Sequence, residues 1–171
     1  MLRDRVAPNV RVLFVGINPG LRSEALGHHF AGYSNRFWKL LYESRLVPEP
    51  IGTDDDRRLP EWGFGITNLV PRATAGIDTL RPDEFVAGLK TLRRKVRRWR
   101  PEVIALVGVT LVRVMFDRRG VDRIALGFQD ELFEGARVYV LPNPSGRNAN
   151  FSYAEMLRAF RGLKRWMERS G

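Results

Sequence analysis

Val12-Leu13-Phe14-Val15-Gly16-Ile17-Asn18-Pro19-Gly20-Leu21 begins as an apolar run and breaks into a turn that carries one polar side chain, Asn18. Read as a strand, it delivers a carboxamide to the edge of a sheet. Val138-Tyr139-Val140-Leu141 repeats the pattern, running into Pro142-Asn143-Pro144-Ser145-Gly146-Arg147-Asn148. Two such ends lying side by side would make a site. Four apolar runs read as buried strands: Val10 to Gly16, Phe64 to Val70, Val103 to Gly108 and Arg137 to Leu141. Helical spacing alternates with them at Asn35 to Arg45, Asp83 to Arg100, Thr110 to Phe116 and Tyr153 to Glu168. The last helix opens on a capping-box pattern, Ser152-Tyr153-Ala154-Glu155. This alternation predicts an α/β fold, a three-layer sandwich whose mostly parallel central sheet is flanked by helices. Ligands in such sheets bind beyond the carboxyl ends of the strands, where both turns fall. Val47 to Glu61, rich in Pro, Gly and Asp, reads as a surface connection with one helical turn after Thr53.

The 171 residues, 44% of them hydrophobic, suit a single domain over residues 1–171 with a sizeable core. No leader pattern and no apolar run near the roughly 20 residues that cross a bilayer is present. The expected place is therefore the cytoplasm, associated with the nucleoid when bound to DNA, with no membrane partner. Absence of cysteine excludes disulfides, thiol nucleophiles and cysteine-held clusters. The only histidines, His28 and His29, are adjacent, a poor basis for a zinc site. Chemistry without a metal or cofactor is the expectation. A formal charge of +10, from 29 Lys and Arg against 19 Asp and Glu, favours a polyanionic partner, DNA or RNA. The basic cluster Arg93, Arg94, Lys95, Arg97, Arg98, Arg100 shares its segment with Leu89, Leu92, Val96 and Trp99 at helical spacing, and reads as the solvated face of a helix.

Gly16 to Gly20 is no phosphate cradle, because Leu21-Arg22-Ser23 stand where a P-loop needs Gly-Lys-Ser/Thr, and the dinucleotide pattern fails too. Alone, Asn18-Pro19-Gly20 is an ordinary turn. In company it is not. GINPGL is followed by GHHF at Gly27 to Phe30, NRFWK at Asn35 to Lys39, TNLV at Thr67 to Val70 and NPSGRN at Asn143 to Asn148. In order and spacing these five blocks resemble the mismatch-specific uracil/thymine DNA glycosylases of the uracil-DNA glycosylase superfamily.

The resemblance implies an α/β sandwich, a monofunctional glycosylase and no cofactor. It makes Asn18 the catalytic residue that positions the attacking water. A neutral carboxamide accepts a hydrogen bond from water but cannot take up its proton, so the glycosidic bond must break largely ahead of attack. Backbone N–H groups around Gly20 and Leu21 suit the charge that develops on the leaving base. Ile17, Gly20, His29, Phe30, Asn68 and Thr74 become the base pocket, with Phe30 stacking on the flipped base. Strict uracil enzymes of the superfamily carry tyrosine at the place of Gly20, so glycine leaves room for 5-substituted pyrimidines. Asn143, Ser145, Gly146 and Arg147 resemble the loop that enters the duplex, with Arg147 as wedge beside the widowed guanine. Ser23 and Ser145 would bind flanking phosphates. Asp78 is a minority candidate should catalysis need a true base.

The expected function is excision of uracil, with thymine and damaged pyrimidines as further candidates, from G·U and related mispairs in double-stranded DNA, by a monomer, leaving an abasic site for base excision repair. A catalytically weak lesion-binding module would share the salt-sensitive DNA binding but not Asn18-dependent base release. A nucleotide-binding α/β enzyme is a third reading, without a loop to match it.

Overall fold

The computed structural model describes residues 1–118 and 123–171 and contains five strands: β1 (Val12–Gly16), β2 (Phe64–Asn68), β3 (Val103–Val107), β4 (Gly127–Phe133) and β5 (Ala136–Leu141). They form one sheet in the order β2-β1-β3-β5-β4. β1 pairs parallel to β2 and β3, β3 parallel to β5, and β4 antiparallel to β5. Five α-helices accompany them among the described residues: α1 (Leu21–Leu26), α2 (Phe37–Glu43), α3 (Pro82–Trp99), α4 (Val109–Met115) and α5 (Tyr153–Ser170).

Strand alternation explains the layers. Val12 and Phe14 of β1 point to one face, where they join Phe37, Leu40 and Leu41 of α2 and Phe160 and Leu163 of α5. Leu13 and Val15 point to the other, against Leu92 and Val96 of α3 and Leu111 and Val112 of α4. Both faces are covered, so the parallel strands β1, β2, β3 and β5 are predominantly apolar rather than alternating. Burying each such side chain contributes about 1.5–3 kcal/mol. The expected α/β sandwich with a mostly parallel sheet is what forms.

The corrections are local. β4 was not expected, because its middle, Gln129-Asp130-Glu131, is polar; it is an edge strand with a bulge between Phe128 and Leu132. Its link to β5 is a two-residue turn, Glu134-Gly135, with φ of 49° and 84°, the geometry of a type I′ hairpin. α1 was also not anticipated, being six residues long and closed by left-handed Gly27. The 47–61 segment is not a mere surface connection. It runs into a 3-10 helix, Thr53–Trp62, and buries Val47, Ile51, Asp56 and Leu59. The capping box at Ser152 forms as written: Glu155 N donates to Ser152 Oγ at 3.1 Å and Ser152 N to Glu155 Oε1 at 2.9 Å.

Three of the six basic residues of α3 are ion-paired. Arg93 and Arg97 pair with Glu134, and Lys95 with Asp4 at 2.7 Å. α3 packs on the face away from α2 and α5, as expected of a solvated helix surface over an apolar stripe.

Candidate active site

The connection leaving β1 packs α2 on one face of the sheet, while those leaving β2 and β3 pack α3 and α4 on the other. Opposed connections of this kind open a crevice at the carboxyl end of β1. A cavity of about 310 Å³ lies there, lined by the ends of four parallel strands: Gly16 to Gly20 after β1, Asn68 of β2, Val107 of β3, and Asn143 and Pro144 after β5. A larger cavity, about 820 Å³, lies between the first residues and α3 and shares only Leu2 and Asn68 with it. The smaller one is where polar groups from separate segments converge, which is the mark of a binding site.

Asn18 is held by its own amide. Nδ2 donates to the Arg72 carbonyl at 2.9 Å and to Thr74 Oγ1 at 2.8 Å. A carbonyl only accepts, so the Arg72 oxygen fixes which end of the amide is which. Thr74 Oγ1 in turn donates to the Gly76 carbonyl at 2.6 Å, leaving its lone pair for Asn18. Asn18 Oδ1 is thereby left as an acceptor with no protein partner among the described residues. The 72–76 strap is itself tied to the first turn, Thr74 N donating to the Pro19 carbonyl at 3.1 Å and Gly20 bridging Thr74. Its outer end is a fork: Arg72 Nε and Nη2 bond both oxygens of Glu84, at 2.9 and 2.8 Å. The Arg72 guanidinium and the Arg81 N–H hold the Glu84 carboxyl down at about 2, so the fork persists at any ordinary assay pH.

His29 and Phe30 come from the loop after α1. The His29 ring is buried, and its Nε2 lies 2.7 Å from the Arg3 carbonyl, which requires a proton on Nε2. Burial lowers its pKa, the Arg3 carbonyl and the Asp56 charge opposing, so the ring is neutral and Nδ1 keeps a free lone pair. Its backbone is pinned on both sides: N–H donates to Asp56 Oδ2 at 2.9 Å, and the carbonyl accepts from Trp38 Nε1 and Thr53 Oγ1 at 3.1 and 2.7 Å. Asp56 is fully buried, and burial alone would raise its pKa. Bonds from His28 Nδ1 and the His29 N–H, with Arg5 Nε 3.2 Å away, outweigh this and hold it below the usual carboxylate range. Phe30 adopts a left-handed φ of 50°, a strained conformation for an aromatic residue, and its ring stacks on buried Phe37 at 4.3 Å between centroids. Gly16 permits the packing: a Cβ there would lie 2.5 Å from Asn68 Oδ1 and 3.6 Å from the Phe30 ring.

The second turn is a self-bonded loop. Asn143 Oδ1 accepts from the Ser145 N–H at 3.0 Å, Ser145 Oγ from the Arg147 N–H at 3.1 Å, and Asn148 Nδ2 donates to the Asn143 carbonyl at 2.9 Å. It is laced to the 34–36 segment by Arg36 N to the Pro144 carbonyl and Gly146 N to the Ser34 carbonyl, 2.9 and 2.6 Å. Gly146 is required for that approach, since a Cβ would sit 2.8 Å from the Ser34 oxygen. Arg147 is exposed, and its guanidinium has no partner among the described residues.

The cavity thus gathers Ile17, Asn18, Gly20, His29, Phe30, Asn68, Thr74 and Asn143. Ser145, Gly146 and Arg147 stand beside it on the second turn, and Asp78 is exposed on the short Ile77–Thr79 turn, outside the lining. No carboxylate lines the cavity among the described residues. Ser23 also lines the cavity; it is buried, and its Oγ accepts the Ala31 N–H at 3.0 Å, bracing the loop that carries Phe30. Sequence reasoning missed the Arg72 carbonyl, the Arg5–Asp56–His28 network and the Leu2 wall. A backbone carbonyl has no sequence signature, and Asp56 is indistinguishable in sequence from Asp54 and Asp55.

An aromatic face at Phe30, the Asn18 and Asn68 amides in one cavity lining, and a crevice at four strand ends define an α/β enzyme site suited to a flat, hydrogen-bonding ring. The chain belongs to the uracil DNA glycosylase superfamily, whose family model matches residues 3–164. Its fold is similar to the solution NMR structure of a candidate uracil DNA glycosylase from Methanosarcina acetivorans, with a TM-score of 0.61 and 20% identity over 95% of this chain and 96% of that one. At that identity the likeness concerns the fold. Family membership supports DNA glycosylase activity, the hydrolysis of an N-glycosyl bond in DNA.

Proposed function

We propose that this glycosylase removes uracil from mispaired double-stranded DNA and admits thymine or other 5-substituted pyrimidines. The observation that carries the reading is the Asn18 amide. With Nδ2 committed to Arg72 and Thr74, Oδ1 can accept a hydrogen bond from a water and aim it at the anomeric carbon. Among the described residues no carboxylate lines the cavity to deprotonate that water early, which favours bond breaking ahead of attack and a slow enzyme with a preference for good leaving groups. Phe30 supplies the face on which a flipped base stacks, and Asn68 and His29 the polar edge. At Gly20 a Cβ would meet nothing within 4 Å, and φ of −75° suits any residue. The space beside the base is therefore set by a side chain that is absent. Flipping costs a few kcal/mol and is easiest at weak pairs, so selection for G·U and G·T begins at that step. Arg147, exposed and without a partner among the described residues, is suited to fill the vacated space.

Duplexes carrying G·U, A·U, G·T and G·C, incubated with the protein and then cleaved with alkali at abasic sites, test the reading. G·U is expected to be cut fastest, with G·T second. Gly20→Tyr should remove G·T cutting and spare G·U. Equal rates on G·U and A·U would remove the mismatch preference from the account.

A further inference from the structure

Tyr33 lies between Phe30 and Asn35, both of which line the cavity, and is 89% exposed. It is held in place all the same. The Arg22 guanidinium sits over the ring, 3.9 Å from its centroid, and Arg22 Nε donates to the Ala31 carbonyl at 2.9 Å. One face of the ring is backed by a cation and the other is open to solvent.

Its position relative to the second turn follows from register. Arg36 N bonds the Pro144 carbonyl, Asn35 bridges Ser145 antiparallel, and Gly146 N bonds the Ser34 carbonyl. Both segments turn at this point, Asn35 N bonding the Gly32 carbonyl and Asn148 N the Ser145 carbonyl, so Tyr33 and Arg147 each sit on a tight turn, one residue beyond the Ser34–Gly146 contact. Two turns laced together at the rim of the base cavity thus carry an exposed aromatic and a guanidinium with no partner among the described residues. The surroundings are cationic: Arg36 and Lys39 lie over the Tyr153 ring, 5.4 and 4.8 Å from its centroid. An aromatic face set among cations is the chemistry that binds nucleobases and their phosphates.

We propose that Tyr33 and Arg147 act as a two-pronged wedge: Arg147 enters the gap left by the flipped nucleotide while Tyr33 stacks its open face on the neighbouring base. Arg22 is a positioning residue that keeps the ring presented. The proposal rests on the glycosylase reading for its substrate, a distorted DNA duplex.

The test is binding to a duplex that carries a tetrahydrofuran abasic analogue opposite guanine, with 2-aminopurine as its neighbour. Wild-type protein should quench the fluorophore by stacking. Tyr33→Ala should bind about tenfold more weakly and lose the quench, and Tyr33→Phe should keep both. Arg22→Ala should retain only part of the quench, since the ring is then less well held. Tyr33→Ala that binds and quenches like wild type overturns the proposal, as does weaker binding with an unchanged quench, which would assign Tyr33 a contact other than stacking. Uracil release by the wild-type protein, assayed alongside, judges the glycosylase reading separately, because the analogue has no base to remove.

Discussion

The two turns at the sheet edge are both hydrogen-bonded throughout, but they hold different things still. In the first, the side chain is fixed: Asn18 is clamped through Nδ2 by Arg72 and Thr74, and the strap that clamps it is anchored by the Arg72–Glu84 fork. In the second, the backbone is fixed and the side chain is free. Asn143, Ser145 and Asn148 bond the loop to itself, while Arg147 projects without a partner among the described residues. The first arrangement suits chemistry, where a small displacement of an orienting group costs rate. The second suits a probe that must adapt to whatever the duplex presents. Pre-organisation and reach are thus divided between two loops of similar composition.

Substitutions should separate the two. Asn18→Ala removes the clamped acceptor proposed to orient water and should lower the single-turnover rate about 100- to 1,000-fold, on duplex and single strand alike. Thr74→Val keeps the shape but leaves the Gly76 carbonyl and one Asn18 N–H without a partner. Roughly 1–3 kcal/mol of stability should go, seen as a lower denaturant midpoint, with about a tenfold loss of rate. Arg147→Ala should cost about tenfold on a G·U duplex and clearly less on single-stranded uracil DNA, where no gap needs filling; equal loss on both would erase the contrast between the turns.

Acid should weaken the first turn's surroundings before the second's. His29 has a folded pKa below its ordinary value near 6.5, so the unfolded chain binds more protons and stability falls as pH drops below about 6.5. His29→Gln, which can still donate to the Arg3 carbonyl, should flatten that slope in denaturation curves taken between pH 7.5 and 5. Asp56, also lowered, contributes stability that is present above its ordinary value near 3.8 and is lost as pH falls through its folded pKa. The smallest effect belongs to Asp78→Asn, under twofold on uracil release. A loss comparable to that of Asn18→Ala would make Asp78 the base.

Much of this was legible in the chain. β1, β2, β3 and β5 are apolar on both faces and bounded by turn residues, and the final helix carries its own cap in Ser152 and Glu155. The polar residues of the site were readable because they sit in short blocks at strand ends. β4 was not, because an edge strand with a polar centre has no period to read, and α1 was not, because six residues show less than two turns. The bond by which Ser23 braces the loop at Ala31 was not legible either, because sequence does not tell which backbone N–H a hydroxyl accepts from. The Asn18 clamp depends on a backbone carbonyl 54 positions away, which only the folded chain brings near.

The most direct test of the account is a single-turnover comparison of uracil release from a G·U duplex by wild type, Asn18→Ala and Asn18→Asp. Asn18→Asp should fail as badly as Asn18→Ala, because a carboxylate has no N–H for the Arg72 carbonyl and would turn an acceptor against an acceptor. An aspartate variant that matched or exceeded wild type would contradict the claim, showing that the position works as a base and that the clamped amide is incidental.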